Sequence, residues 1–280
     1  MTKSRTTSDW PLRLVLRAWV GFVYAFLLVP FVVIVVYSLD GRTFARFPPQ
    51  DLSLKWYFDI PPAYTRAFIT SLLLGIVVSA LACLIGLAIG LGLARGHFRG
   101  KAVASALFRA PLQVPTLVVG VIFLQFYYML AAYTGIQLIE TFTGLAIAHL
   151  VITFPYTVGT IVALIDRFPK HLEEAAWSLG ASRFSTLTRV IVPYLKPGIY
   201  AGMMLAFISS FGNVSVSIFL GGSSLNTLPV VIFGAMAYDY DPRLLAVSTI
   251  VVLFCAGLIY CVQKLTGLDI MLQTRAPDGR

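Results

Sequence analysis

The chain has 280 residues; 58% are hydrophobic, 12% are charged, and the mean hydropathy is +0.85. Soluble domains carry about 25% charged residues, so this chain lacks the polar groups to cover a water-facing surface. That excludes a soluble enzyme, a disordered chain and a disulfide-stapled module. Cys83, Cys255 and Cys261 all sit in apolar runs, with neither a paired framework nor metal spacing. The net charge of +9 is an orientation signal in a membrane protein, and no nucleic-acid partner is expected.

A bilayer core about 30 Å thick needs about 20 helical residues at about 1.5 Å each. Taken in chain order, runs of that length fall at 18–37, 67–94, 110–139 and 141–165, the last holding one titratable group, His149. The stretch from Pro197 to Tyr238 is too long for one helix. Gly221-Gly222-Ser223-Ser224 and Pro229 break it, so it reads as a helix to about Leu220, a turn, and a short, partly inserted helix at 228–237. The last span covers 244–263. The expected fold is all-α and polytopic, with six transmembrane helices. The first apolar run is too long for a signal peptide and lacks a small-residue cleavage site, so it reads as an uncleaved anchor.

Basic residues set the orientation. With the N-terminus inside, the inner segments carry Lys3, Arg5, Arg13 and Arg17, then Arg95, Arg99, Lys101 and Arg109. The loop after span four carries Arg167, Lys170, Arg183, Arg189 and Lys196, and the C-terminal end Lys264, Arg275 and Arg280. The outer segments carry Arg42, Arg46, Lys55, Arg66 and Arg243. Both termini are therefore expected in the cytoplasm. The expected division is a cytoplasmic segment 1–17, a transmembrane domain 18–266 with a cytoplasmic loop 166–196, and a tail 267–280. Trp56 and Tyr57, in the outer segment, are expected at the headgroup level.

The loop 166–196 is the one segment whose pattern is not dictated by the membrane. Pro169 can open a helix, and Glu173 and Glu174 suit its positive end. Gly180 lies where a short helix would stop in a left-handed residue. Ser182 can cap a second helix, and Pro193 marks the return to the membrane. The result is a compact knob with an acidic tip.

Glu174-Ala175-Ala176, three residues, Gly180, nine residues, then Val190-x-Val192-Pro193 resembles the EAA loop of the permease subunits of binding-protein-dependent ABC importers. Val190 and Val192 replace the family's Ile and Leu. Leu52 to Tyr57, Ala110-Pro111-Leu112 with Pro115, Ala148-His149 with Pro155-Tyr156, Leu228-Pro229 and Ala246 to Thr249 extend the resemblance to the spermidine/putrescine-type permeases among type I importers. The resemblance implies a type I importer permease fold in the bacterial cytoplasmic (inner) membrane, with a second permease subunit, two ATP-binding subunits and a periplasmic solute-binding protein as partners. It implies that Glu173, Glu174, Ala175, Ala176, Gly180, Ala181 and Pro193 belong to a coupling element that docks on the ATPase. No G-x-x-x-x-G-K-[ST] is present. The chain is thus expected to be no enzyme, with no catalytic or metal site, and ATP and magnesium are expected on the partner ATPase.

Polar groups unpaired in lipid cost several kcal/mol, so those within spans should face the interior. Pathway candidates are Gln113, Thr116 and Gln125 on the third span, and Ser209, Ser210, Asn213 and Ser217 on the fifth. There Asn213 and Ser217, four apart, would share a helix face. His149 is expected to pack against a neighbouring helix. Gly86 with Gly90, and Gly198 with Gly202, permit close backbone approach, first for internal packing. Polyamine permeases carry acids near the positions of Thr116 and Gly212-Asn213; this chain has none within any span. That weakens a polyamine solute and leaves an amino-acid derivative, opine or phosphonate in view. The competing class is an ion-coupled secondary transporter, but such carriers keep ionisable groups in their spans.

Overall fold

A computed structural model describes residues 10–43, 48–49, 51–222, 225–238 and 241–266. The tail 267–280, residues 1–9 of the N-terminal segment, Arg46, Ser223 and Ser224 lie outside the described residues. The α-helices, in chain order, are α1 (Trp10–Ser38), α2 (Lys55–Phe58), α3 (Pro62–Arg95), α4 (Lys101–Arg109), α5 (Thr116–Thr134) and α6 (Phe142–Ile165). They continue with α7 (Lys170–Ser178), α8 (Arg183–Thr186), α9 (Val192–Phe211), α10 (Ser217–Leu220), α11 (Leu228–Tyr238) and α12 (Arg243–Thr266). Among the described residues six helical stretches are long and apolar enough to cross a membrane: Leu12–Ser38, Pro62–Arg95, Thr116–Thr134, Phe142–Ile165, Arg183–Phe211 and Arg243–Lys264.

The chain divides into two compact units. The first comprises residues 1–60 and 240–254. Side chains 12–33 of α1 are exposed. After α1 the chain folds back on itself through a bridge between Asp40 and Leu52. The indole N–H of Trp56 donates to the Asp40 carbonyl at 2.8 Å, and Tyr57 and Ser38 share a hydroxyl contact at 2.5 Å. Trp56 is buried, so its ring packs within this small fold-back. Asp59 pairs with Arg243 at 2.9 Å.

The second unit, 61–239 and 255–280, is built around α6. Apolar side chains gain nothing by leaving lipid for one another, so membrane helices associate through close packing and hydrogen bonds. The sequence meets this with glycine. A Cβ on Gly86 of α3 would lie 2.1 Å from Thr157 Oγ1, and one on Gly90 would lie 2.6 Å from Ile161 Cγ2. On the adjoining face of α6, a Cβ on Gly198 or Gly202 of α9 would lie 2.5 Å from Leu164 Cδ1 or Thr160 Oγ1 respectively. The pairings 86–157 and 90–161 run α3 and α6 parallel; 198–164 and 202–160 run α9 antiparallel to α6. Thr157 Oγ1 also donates to the Ala82 carbonyl at 2.6 Å, a direct bond between helices. The small residues thus pack helices within this chain.

The third and fifth spans depart from the sequence reading. The third span begins at Thr116 and not near 110, because Pro111 and Pro115 lack the N–H a continuing helix needs. Residues Ala110–Leu112 form a 3₁₀ turn, and Pro115 caps α5. It ends at Gly135, at φ +75°. The fifth span stops at Phe211 and not Leu220. Gly212 follows, and Asn213 Oδ1 accepts from the Val216 N–H at 2.8 Å, offering the backbone a local alternative to the helical ladder. The same span also starts earlier, at Arg183, because α8 continues through a π turn, Leu187–Ile191, into α9. There the Val192 N–H reaches back five residues to Leu187, just ahead of Pro193, which has no N–H of its own.

If Gly86 is a contact point, Gly86→Ala forces two helices apart at a cost of about 1–3 kcal/mol. Gly92→Ala, whose Cβ meets nothing within 4 Å, stabilises by up to about 1 kcal/mol. Thermal unfolding of the purified protein separates the two; equal melting curves would contradict the packing account.

Candidate functional site

The loop after α6 folds as a knob of two short helices. Pro169 is the N-cap of α7, and Glu173 falls in its first turn. The Gly180 N–H bonds to the Trp177 carbonyl at 2.9 Å and the Ala181 N–H to the Ala176 carbonyl at 3.0 Å, with Gly180 at φ +84°. This is the Schellman closure, which demands a residue without Cβ strain at that point. Ala176 and Gly180 therefore hold their spacing for a stated reason: one supplies the carbonyl that the residue after the other closes on. Ser182 Oγ then accepts from the Ser185 N–H at 3.2 Å and starts α8.

The knob is tied to the ends of three long helices. Ile161 and Ile165 of α6, Phe168, Ile191 and Leu195 form one buried cluster, with Leu87 and Leu91 of α3 against it. Phe168 meets Tyr194 edge-on at 4.9 Å. The Glu173 carboxylate accepts a hydrogen bond from the Arg95 guanidinium at the end of α3, and that guanidinium lies 5.5 Å from the Phe168 ring centroid. The acidic tip is thus divided: Glu173 is turned inward as a tether, and Glu174 is exposed. Pro193 sits in the first turn of α9.

None of the nine residues of α7 is buried. Leu172, Ala175 and Leu179, at helical spacing, are exposed, with Leu179 at 89%, and Phe184 of α8 is 75% exposed. Apart from the inward Glu173 and the half-buried Ala176, this short amphipathic helix leaves its apolar side uncovered within its own chain.

The pathway candidates are scattered. Gln113, Thr116 and Gln125 are exposed, and Ser209 and Asn213 are half-buried. Ser210 and Ser217 are buried and are brought together by a residue the sequence reading placed only as packing. His149, fully buried in α6, has Nδ1 2.9 Å from Ser210 Oγ and Nε2 3.0 Å from Ser217 Oγ. Ser217 Oγ also donates to the Asn213 carbonyl at 3.1 Å. These bonds are satisfied together with the ring proton on Nε2: Ser217 accepts from it, and Ser210 donates to Nδ1. Asn213 and Ser217 do not share one helix, since the break at 212–216 separates them. The histidine pins that break to α6. The signal for it was present as two serines seven residues apart, but only if the helix between them ends.

Six apolar spans, a glycine-packed contact among α3, α6 and α9 and a two-helix knob after α6 describe a polytopic α-helical membrane protein. Residues 82–266 match the family described as binding-protein-dependent transport system inner membrane component, and the chain belongs to that family. The spermidine/putrescine transport system permease protein PotC of Escherichia coli (strain K12) is 29% identical over 253 residues, covering 90% of this chain and 93% of that protein. A probable sulfate transport system permease protein, cysT, of Chlorokybus atmophyticus is 27% identical over 277 residues, covering 95% and 92%. In fold the chain is similar to a solved bacterial ABC transporter involved in alginate import (TM-score 0.66, 16% identity, 94% of this chain and 99% of that one). It is also similar to the inward-facing MetNI methionine ABC transporter (TM-score 0.59, 18% identity, 72% and 94%). The chain is therefore the permease subunit of a type I ABC importer, a multi-pass membrane protein and not itself an enzyme. The ATPase is a separate subunit, and a second permease subunit joins it.

Replacing His149 with Leu strands Ser210, leaves Ser217 only its bond to the Asn213 carbonyl, and is expected to destabilise by about 1–3 kcal/mol. Unchanged thermal unfolding of the purified complex would remove the pin from the account.

Proposed function

We propose that the knob 166–196 is the coupling element of the importer, docked in a groove of the partner ATPase, which holds ATP and its magnesium ion. The observation that carries this is the unburied α7 with Leu179 and Phe184 exposed beside it. Burying a side chain of that size stabilises a contact by about 1.5–3 kcal/mol. Glu174, Ala175 and Leu172 face the partner, Gly180 with Ala176 and Ala181 sets the shape of the knob, and Glu173 ties it to α3. Closure of the ATPase pair then swings the attached helices as a rigid body. The basic bias of the segments around Arg95, the knob and the termini supports a cytoplasmic location for this end and for both termini. The membrane is the bacterial cytoplasmic membrane, and a periplasmic binding protein delivers the solute on the other side.

We further infer that the solute is a small anion or zwitterion and not a polycation. No Asp or Glu lies in any of the six spans, so a polyamine would meet only neutral dipoles. Thr116, Gln125, Ser209 and Asn213 offer such dipoles to the pathway, with Ser210 and Ser217 committed to His149.

The test is ATP hydrolysis and solute uptake by vesicles carrying the permeases, the ATPase and the binding protein. Glu174→Lys and Gly180→Trp are expected to assemble but to lose uptake by about tenfold or more, the equivalent of about 1.4 kcal/mol of contact. Full uptake by either contradicts the coupling role. Preferred uptake of spermidine over sulfate or a zwitterionic amino acid by the unaltered chain contradicts the solute reading.

A further inference from the structure

Where the ends of α3 and α6 meet α4 there is a cavity of about 260 Å³, which includes Lys101, Ser105 and Arg109 of α4, Gly159 and Val162 of α6, and Asp166 just after α6. Lys101, Ser105 and Arg109 are spaced four apart, so they form one face of α4. The remainder of α4 is apolar, with Val103 72% and Leu107 68% exposed. Lys101 and Ser105 are half-buried along the cavity and Arg109 is exposed at its rim, while the valine and leucine of the same helix are left uncovered by this chain, which a water-facing helix avoids. It is the arrangement of a helix lying against lipid.

The charges that line the cavity are unmatched, and Asp166, like Arg109, is exposed at its rim. Lys101 and Arg109 make no side-chain ion pair or hydrogen bond among the described residues, and neither does the Asp166 carboxylate beside them. Opposite charges that line one cavity and stay apart leave room for a group carrying both signs. A water occupies about 30 Å³ of liquid, so the space holds a phosphate and a linked ammonium together. The cations are suited to a phosphate, Ser105 can donate a further hydrogen bond to it, and Asp166 is suited to an ammonium with N–H groups to give. The exposed Val103 and Leu107 suit α4 to a lipid-facing position, where a lipid is the abundant carrier of that pair.

We propose that this cavity binds the phosphoethanolamine headgroup of a phospholipid, with Lys101, Ser105 and Arg109 on the phosphate and Asp166 on the ammonium. A bound lipid there would join α4 to the ends of α3 and α6.

The test reconstitutes the chain with its partner subunits into vesicles holding a photoreactive phosphatidylethanolamine, followed by mass-spectrometric mapping of the labelled peptides. Labelling is expected around 93–109. A matched phosphatidylcholine probe, whose quaternary nitrogen has no hydrogen to donate, is expected to label about tenfold less. The double variant K101Q/R109Q is expected to lose about tenfold of the labelling by the phosphatidylethanolamine probe, and Asp166→Asn to erase the preference between probes. Gly159→Leu directs a side chain into space where a Cβ meets nothing within 4 Å; it is expected to reduce labelling with the melting temperature unchanged. Excess inorganic phosphate is expected to have no effect. Equal labelling by both probes, full labelling of the filled cavity, or displacement by inorganic phosphate, which would mark a free-anion site, each overturns the proposal.

Discussion

The contact between α6 and its two neighbours is what the rest of the second unit rests on. In lipid, helices as apolar as these have no hydrophobic reason to prefer each other. What holds them is the absence of side chains at Gly86, Gly90, Gly198 and Gly202, which lets α3 and α9 come within contact of the Thr157, Thr160, Ile161 and Leu164 side chains. Thr157 adds a polar bond that crosses from α6 to α3. Dispersion between close atoms is small singly and large in sum, and it falls off steeply with a gap. A single methyl group in this seam would therefore be felt along the helices and at everything attached to their ends.

The knob is attached at those ends. Its connection is apolar through Phe168, Ile191 and Leu195, and ionic through Arg95 and Glu173. The Arg95–Glu173 pair is partly shielded, and a partner left without its counter-charge there would be costly. The π turn before Pro193 keeps α8 and α9 one continuous stretch, so a force on the knob passes into the fifth span with no flexible link between. At the far end of α9, His149 holds the break at 212–216 against α6. Both irregular points of the fifth span are thus fixed to the same central helix.

Much of this was legible in the sequence. The spans were, because charge-free runs of 20 residues have few other uses. The knob was, because Pro169, Gly180 and Ser182 each act locally, through capping and φ preference, and such rules need no tertiary knowledge. The seam glycines were legible as close-approach residues, though not which helix they meet. What failed were inferences that assumed a helix continued. Pro111 and Pro115 start one later than hydropathy suggests, and Gly212 with Asn213 ends another earlier; hydropathy does not register backbone hydrogen bonds. The facing of Ser210 and Ser217 depended on that break and so was missed with it. Trp56 and Glu173 were read as surface groups because composition does not reveal a carbonyl or a guanidinium brought from elsewhere in the chain.

The central claim is that the glycine-packed helices and the knob move as one body. Spin labels on the exposed Leu179 of the knob and the exposed Leu84 of α3, with Cys83, Cys255 and Cys261 replaced by alanine, test it by distance measurement in the assembled importer. On adding ATP, the distance within this chain should stay unchanged, while the distance from Leu179 to the equivalent knob of the second permease changes. A shift of several ångströms between Leu179 and Leu84 within the chain would show that the knob moves independently of the core, and would contradict the account.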